Sequence, residues 1–180
     1  MNIKKRVFVY IDGSNLYRNL KFYESAGMNF DFKGFVESFI QDYELEGIKY
    51  YIGQIRPKEN DEKSQSLHKY QQVLFKKLEE AGFCIIRGRL RQIGKIFSEK
   101  GVDVRIGIDL LEGAYENKYD VALLISSDGD LAPALEMVRN KGKKVEVVGF
   151  LHKPSYALIQ NSDRYHNCDA QKIKQFLPQS

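Results

Sequence analysis

The sequence predicts an α/β fold organised around a parallel sheet. Three observations predict it. Short apolar runs alternate along the chain with longer stretches of helical period. Several runs are apolar throughout rather than at every second residue, as strands covered on both faces are. Two of them lead into an acid, Asp12 at once and Asp128 after two serines, at the strand end where open α/β sheets bind ligands.

The elements follow in order. Strand one spans about residues 6–11, and a helix follows at about 14–21. Residues 32–43 place Phe32, Phe35, Val36, Phe39 and Ile40 on one face, which predicts a second helix. Strand two covers 48–55, and the polar stretch 56–66, with Pro57, reads as a loop. Residues 67–81 form an amphipathic helix that Gly82 terminates. Strand three is 83–87. In residues 87–99, Arg87, Arg89, Arg91 and Lys95 alternate with Leu90, Ile93 and Ile96, and Gly94 can turn the chain, so a hairpin or an extended arm is expected. A helix at 102–115 turns Val102, Ile106, Leu110 and Ala114 inward. Strand four is 121–125. The next helix, 130–141, tolerates Pro133 in its first turn. Strand five is 144–150, and 155–160 and 170–176 read as closing helices. No repeat or linker divides the chain, so residues 1–180 are expected to form one domain.

Composition narrows the function. With 43% hydrophobic and 29% charged residues, the chain has the make-up of a globular protein. A net charge of +4 permits a nucleic-acid partner without indicating one. Cys84 lies in the apolar run Phe83-Cys84-Ile85-Ile86 and is expected to be a buried thiol; neither it nor Cys168 belongs to a CxxC pair, so zinc is not indicated. His68, His152 and His166 are scattered and show no triad spacing, and no Walker-type glycine loop is present. With no long apolar span or signal peptide, a cytoplasmic location is expected.

The acids carry the chemistry. Asp12 and Asp128 follow strands, Asp130 stands two residues beyond Asp128, and Asp103 opens a helix. Carboxylates gathered in one cleft resist ionisation unless a cation or proton joins them. Oxygen donors without histidine or cysteine suit Mg²⁺ or Mn²⁺. Asp12, Asp103, Asp128 and Asp130 are therefore candidate metal ligands, direct or through water. Asn15, Ser126 and Ser127 are candidates to position a water or a phosphate oxygen. The plainer alternative is that Asp12 and Asp130 merely cap helices. Asp109, six residues after Asp103, falls on a different face of the same helix and is expected to reach the cleft from a later turn or to face solvent.

These segments resemble the NYN domain family, the LabA-like branch of the PIN-like nucleases. The matching pieces are Tyr10-Ile11-Asp12-Gly13-Ser14-Asn15, Lys100-Gly101-Val102-Asp103-Val104 with Asp109 beyond, Ser126-Ser127-Asp128-Gly129-Asp130-Leu131, and residues 142–149. The resemblance implies a three-layer PIN-like fold whose five strands, counted along the chain, run 3-2-1-4-5. It also implies Mg²⁺- or Mn²⁺-dependent RNA cleavage by Asp12, Asp103 and Asp128, with Asp130 nearby and Asn15 assisting. Ser127 and Leu131 depart from the family, which often has Gly and Phe there; Leu131 is still expected in the core.

For the substrate, Arg87, Arg89, Arg91 and Lys95 form the densest basic segment, and Lys100 stands beside the acids, so these residues are candidate phosphate contacts. Tyr10, Tyr17, Phe22 and Tyr23 could stack on unpaired bases, but core packing is the expectation for them. The leading function is a metal-dependent endoribonuclease acting on single-stranded or structured RNA. An RNA-binding module without turnover is the alternative, and a homodimer stays open. A haloacid-dehalogenase-type phosphatase is disfavoured, because Ser14 stands where its second aspartate belongs.

Overall fold

The computed structural model describes residues 4–23, 29–57, 59–93 and 96–178, and for residues 89–93 and 96–100 it describes the backbone alone. The chain builds one seven-stranded sheet. β1 (Arg6–Asp12), β2 (Glu44–Gln54), β3 (Phe83–Ile93), β4 (Ile96–Lys100), β5 (Val121–Ile125), β6 (Lys144–Phe150) and β7 (Arg164–Cys168) lie in the order β4-β3-β2-β1-β5-β6-β7. Six strands are parallel, and β4 returns antiparallel to β3. The five strands expected from sequence take their expected order, and β4 and β7 extend its two edges.

Helices cover both faces, giving three layers. On one face α1 (Gly13–Phe22), α2 (Phe32–Glu37), α3 (Glu62–Glu80) and α7 (Ala170–Lys174) pack Leu16, Leu20, Phe35, Leu78 and Ile173 against Val9, Ile11 and Ile125. On the other, α4 (Val102–Tyr115), α5 (Ala132–Asn140) and α6 (Tyr156–Gln160) pack Ile106, Leu110, Leu135 and Leu158 against Tyr10, Tyr51 and Val147. Every residue of β5 is buried, which explains its continuous apolar sequence. Leu131 is buried as expected.

Several boundaries differ from the sequence reading. The helix expected over 32–43 ends at Glu37, because the chain must turn down to a β2 that already begins at Glu44. Phe39 still packs against the core from the turn, and Ile40 is part of it. α3 starts at Glu62 rather than 67, since Asp61 caps it by accepting the Ser64 N–H. β3 runs past Arg87 to Ile93 and pairs antiparallel with β4, as the arms of the expected hairpin would, while the turn expected at Gly94 lies outside the described residues. β7 has a polar sequence, Arg-Tyr-His-Asn-Cys, and as an edge strand gives no apolar run to read. Cys84 is exposed, not buried: Phe83 turns into the core, and the next residue along the strand must face the opposite side.

β1 is paired with β2 on one side and β5 on the other. The chain order reverses there, so the carboxyl ends of β1 and β5 open side by side into a crevice.

Candidate metal centre

Asp12 ends β1 and caps α1. The turn between them requires Gly13: a Cβ there would stand 2.7 Å from the Tyr51 carbonyl oxygen and 2.4 Å from the Tyr50 ring. Asp12 is 3% exposed. Its Oδ1 accepts the Asn15 N–H at 2.9 Å, and its Oδ2 accepts the Ser126 hydroxyl at 3.2 Å. Ser126 Oγ in turn accepts the Asp128 N–H at 3.1 Å, and Asp128 Oδ1 accepts the Asp130 N–H at 3.1 Å. Asn15 Oδ1 takes the Ser127 N–H at 3.0 Å and the Asn19 side-chain amide at 2.7 Å. For Asp12, capping and cleft lining are thus one arrangement, not alternatives; Asp130 caps no helix, and Asp128 takes the capping place before it.

Asp103 arrives from a third direction. Gly101 turns the chain out of β4 with φ +79°, a conformation side chains resist. Gly88 then leaves room for Val102, whose Cγ2 would lie 2.4 Å from any Cβ at that glycine. α4 therefore starts low against the sheet, with Asp103 in its first turn. One oxygen from each of Asp12, Asp103 and Asp128 lies within 4.8 Å of the others. Burial raises the Asp103 carboxyl above its usual range, the negative charges of Asp128 and Asp130 add to this, and Arg18 opposes it.

The donor set fits a hard cation. Donors on Mg²⁺ stand about 3.0 Å apart when adjacent and about 4.2 Å when opposite, given a ~2.1 Å bond length, so the three carboxylates would meet one ion by drawing together or in part through water. Asp130 is exposed and stands outside the trio, although its charge reaches Asp103.

The remaining expected residues separate. Ser126 bridges Asp12 and Asp128, while Ser127 is 7% exposed and its Oγ is buried without a hydrogen-bond partner among the described residues. Arg87 lies 3.7 Å from Glu79 and 5.2 Å from the Phe75 ring centroid, which ties it to α3. By strand alternation it faces away from Asp12: Ile86, Tyr51 and Asp12 share one row and one face of the sheet, and Arg87 takes the other. Arg89 and Arg91 pair with Lys100 and Ser98 in the hairpin backbone; their side chains and that of Lys100 lie outside the described residues, as does Lys95 altogether. Among the aromatics, Tyr10 is buried, whereas Tyr17 and Phe22 are 45% and 61% exposed, contrary to the expected core packing.

Asp109 neither reaches the cleft nor faces solvent. It is buried against β2, where Oδ2 accepts Tyr51 Oη–H at 2.7 Å and Lys49 Nζ–H at 3.0 Å. Arg105 Nε stands 2.9 Å from Oδ1, outside hydrogen-bond alignment. Sequence reasoning missed Arg18 and Asn19. The i, i+4 spacing of Asn15 and Asn19 on one helix was the available signal for the latter.

The profile of the NYN domain matches residues 6–169. The chain belongs to the NYN domain family. The family lies within the PIN-like superfamily, in agreement with the sheet order and the acidic crevice. A crystal structure of a protein of unknown function from Vibrio parahaemolyticus is similar over 99% of both chains, with 28% identity and a TM-score of 0.71. No curated protein matches the chain. Among the described residues, no helix of this NYN protein is long and apolar enough to cross a membrane.

Proposed function

We propose that this NYN protein is a divalent-metal-dependent endoribonuclease that hydrolyses RNA phosphodiester bonds. The observation that carries the proposal is the convergence of Asp12, Asp103 and Asp128, from three separate stretches of chain, to within 4.8 Å. Mg²⁺ or Mn²⁺ held by these three carboxylates would supply Lewis-acid activation of the phosphodiester and of a water. The chain's own groups support it. Asp12 is fixed by two hydrogen bonds and needs little reorganisation. Ser126 couples Asp12 to the Asp128 backbone, and Asn15 locks the following loop. Asp130, on the exposed rim, adds negative charge that favours cation entry. Lys100, Arg89 and Arg91 lie in the hairpin that leads into α4 and are proposed to meet the RNA backbone. Two free cysteines suit a reducing compartment, and the proposed place of action is the cytoplasm.

The test is incubation of the purified protein with single-stranded and structured RNA, in Mg²⁺ or Mn²⁺ and then in chelator. Cleavage should appear with metal and vanish on chelation and in Asp12→Asn and Asp128→Asn variants. Metal-independent cleavage would refute the proposal, and RNA binding without cleavage in either metal would reassign the protein as an RNA-binding module.

A further inference from the structure

A second chemistry lies on the surface beside the acidic crevice. The Phe22 ring, at the end of α1, stacks on the His152 imidazole with centroids 3.8 Å apart and planes 7° from parallel. Tyr23 meets both rings edge-on, at 5.1 Å and 4.9 Å. Despite these neighbours, Phe22 remains 61% exposed. Exposure of one apolar ring is ordinary; what sets Phe22 apart is that its ring is held flat against a second ring and braced edge-on by a third while its surface stays open to water. Partial burial, with Lys153 beside it, holds the His152 imidazole below its ordinary pKa, which favours the neutral ring in the stack.

Among the described residues the charges around the rings are mostly positive, with Asp169 an anion close enough to act on Tyr23. Arg18 stands one turn before Phe22 on α1, and Tyr17 one turn before Lys21; all four are exposed. Lys153 is exposed beside His152. Two connections join the platform to the acids. α1 begins at Asp12 and carries Phe22 roughly 15 Å along its axis, at about 1.5 Å per residue. The segment after His152 returns to the crevice, where Ser155 Oγ would lie 3.3 Å from a Cβ on Gly129, the residue following Asp128.

We infer that Phe22 and His152 form a stacking platform for an unpaired nucleobase of single-stranded RNA, with Arg18, Lys21 and Lys153 contacting the flanking phosphates. The inference rests on the ribonuclease reading for its substrate class. Aromatic rings among cations suit a single strand, because each base offers a face and each phosphate a charge. A duplex, whose bases are already stacked, gains nothing from the rings. The platform therefore selects unpaired RNA a few nucleotides from the scissile bond.

The experiment measures binding of a short single-stranded RNA carrying 2-aminopurine, in Ca²⁺ and in chelator, alongside a duplex of the same sequence. Wild type should bind the single strand more tightly and quench 2-aminopurine at one position. Phe22→Ala should weaken single-strand binding about tenfold and abolish that quench, leaving duplex binding unchanged. Phe22→Trp should restore both, and an unchanged melting midpoint should show that each variant is folded. Wild-type affinity or a retained quench in Phe22→Ala would overturn the inference, as would full rescue by Phe22→Leu, which packs but cannot stack. A Phe22→Ala variant that loses a dimer in light scattering while keeping RNA affinity would make the ring an interface between copies instead. The two proposals fail separately. Phe22-dependent binding without metal-dependent cleavage removes the nuclease and leaves the platform; metal-dependent cleavage indifferent to Phe22 does the reverse.

Discussion

Replacing Asp109 by alanine removes the anion from a site that keeps its cations. Lys49 and Tyr51 project from β2 toward that carboxylate, and Arg105 reaches it from the same helix. The Arg105 side chain is 55% exposed and rehydrates, so its share of the loss is within about 1 kcal/mol. Lys49 is only 21% exposed and loses its counter-charge, while Tyr51, 0% exposed, loses its acceptor. Removing one partner of a buried ion pair costs about 3–5 kcal/mol, and the partial access of Lys49 to water favours the lower end, about 3 kcal/mol. For a chain of this size each kcal/mol moves the melting midpoint by about 2–4 °C, so the variant should melt about 6–12 °C lower. Thermal unfolding followed by circular dichroism measures it. The double variant Lys49→Met, Asp109→Leu should recover most of the loss, because no buried charge is then left alone. A fall of less than about 2 °C in Asp109→Ala, or a double variant no better than the single, would refute the assignment of Asp109 as the anchor of α4.

Two further predictions concern the crevice and the far side of the sheet. Ser126→Ala deletes the hydroxyl between Asp12 and Asp128, and calorimetric titration should show Mn²⁺ affinity falling about tenfold with little loss of stability; unchanged affinity would remove Ser126 from the site. Burial pushes the Glu146 carboxyl up, but hydrogen bonds from His166 and Tyr43 outweigh it and hold it below the usual glutamate value. A folded-state pKa below the unfolded one means stability that is present near neutrality and lost as pH falls below about 4.5 through the lowered value. Acid unfolding of Glu146→Gln should accordingly be flatter across that range than in wild type, and parallel curves would contradict it.

The sheet was legible because its central strands are buried on both faces. β5 and β6 could be bounded to the residue from their apolar runs, and α4 from its inward Val102, Ile106, Leu110 and Ala114. The three acids were legible because two of them follow such strands. What could not be read depended on neighbours far along the chain. β7 takes its pairing from β6 rather than from its own composition. The role of Asp109 needed Lys49, sixty positions earlier, to be in place. The face that Arg87 takes could not be read, because it is fixed by register with β2, and a lone strand does not disclose its register. Phe22 was expected in the core as a large aromatic residue, and residue type does not say whether anything lies opposite it.

α4 carries two aspartates whose contributions to stability have opposite signs. Burial, and after it the negative charges of Asp128 and Asp130, disfavour the ionised form of Asp103, so neutralising it as Asn should firm the protein slightly even as the crevice loses a ligand. Asp109, a turn and a half along, is held by cations, and neutralising it loosens the same rod. The helix is thus braced at its middle against a load at its tip. Drift in sequence that relaxes the load gains robustness and sacrifices chemistry, whereas drift that removes the brace sacrifices both.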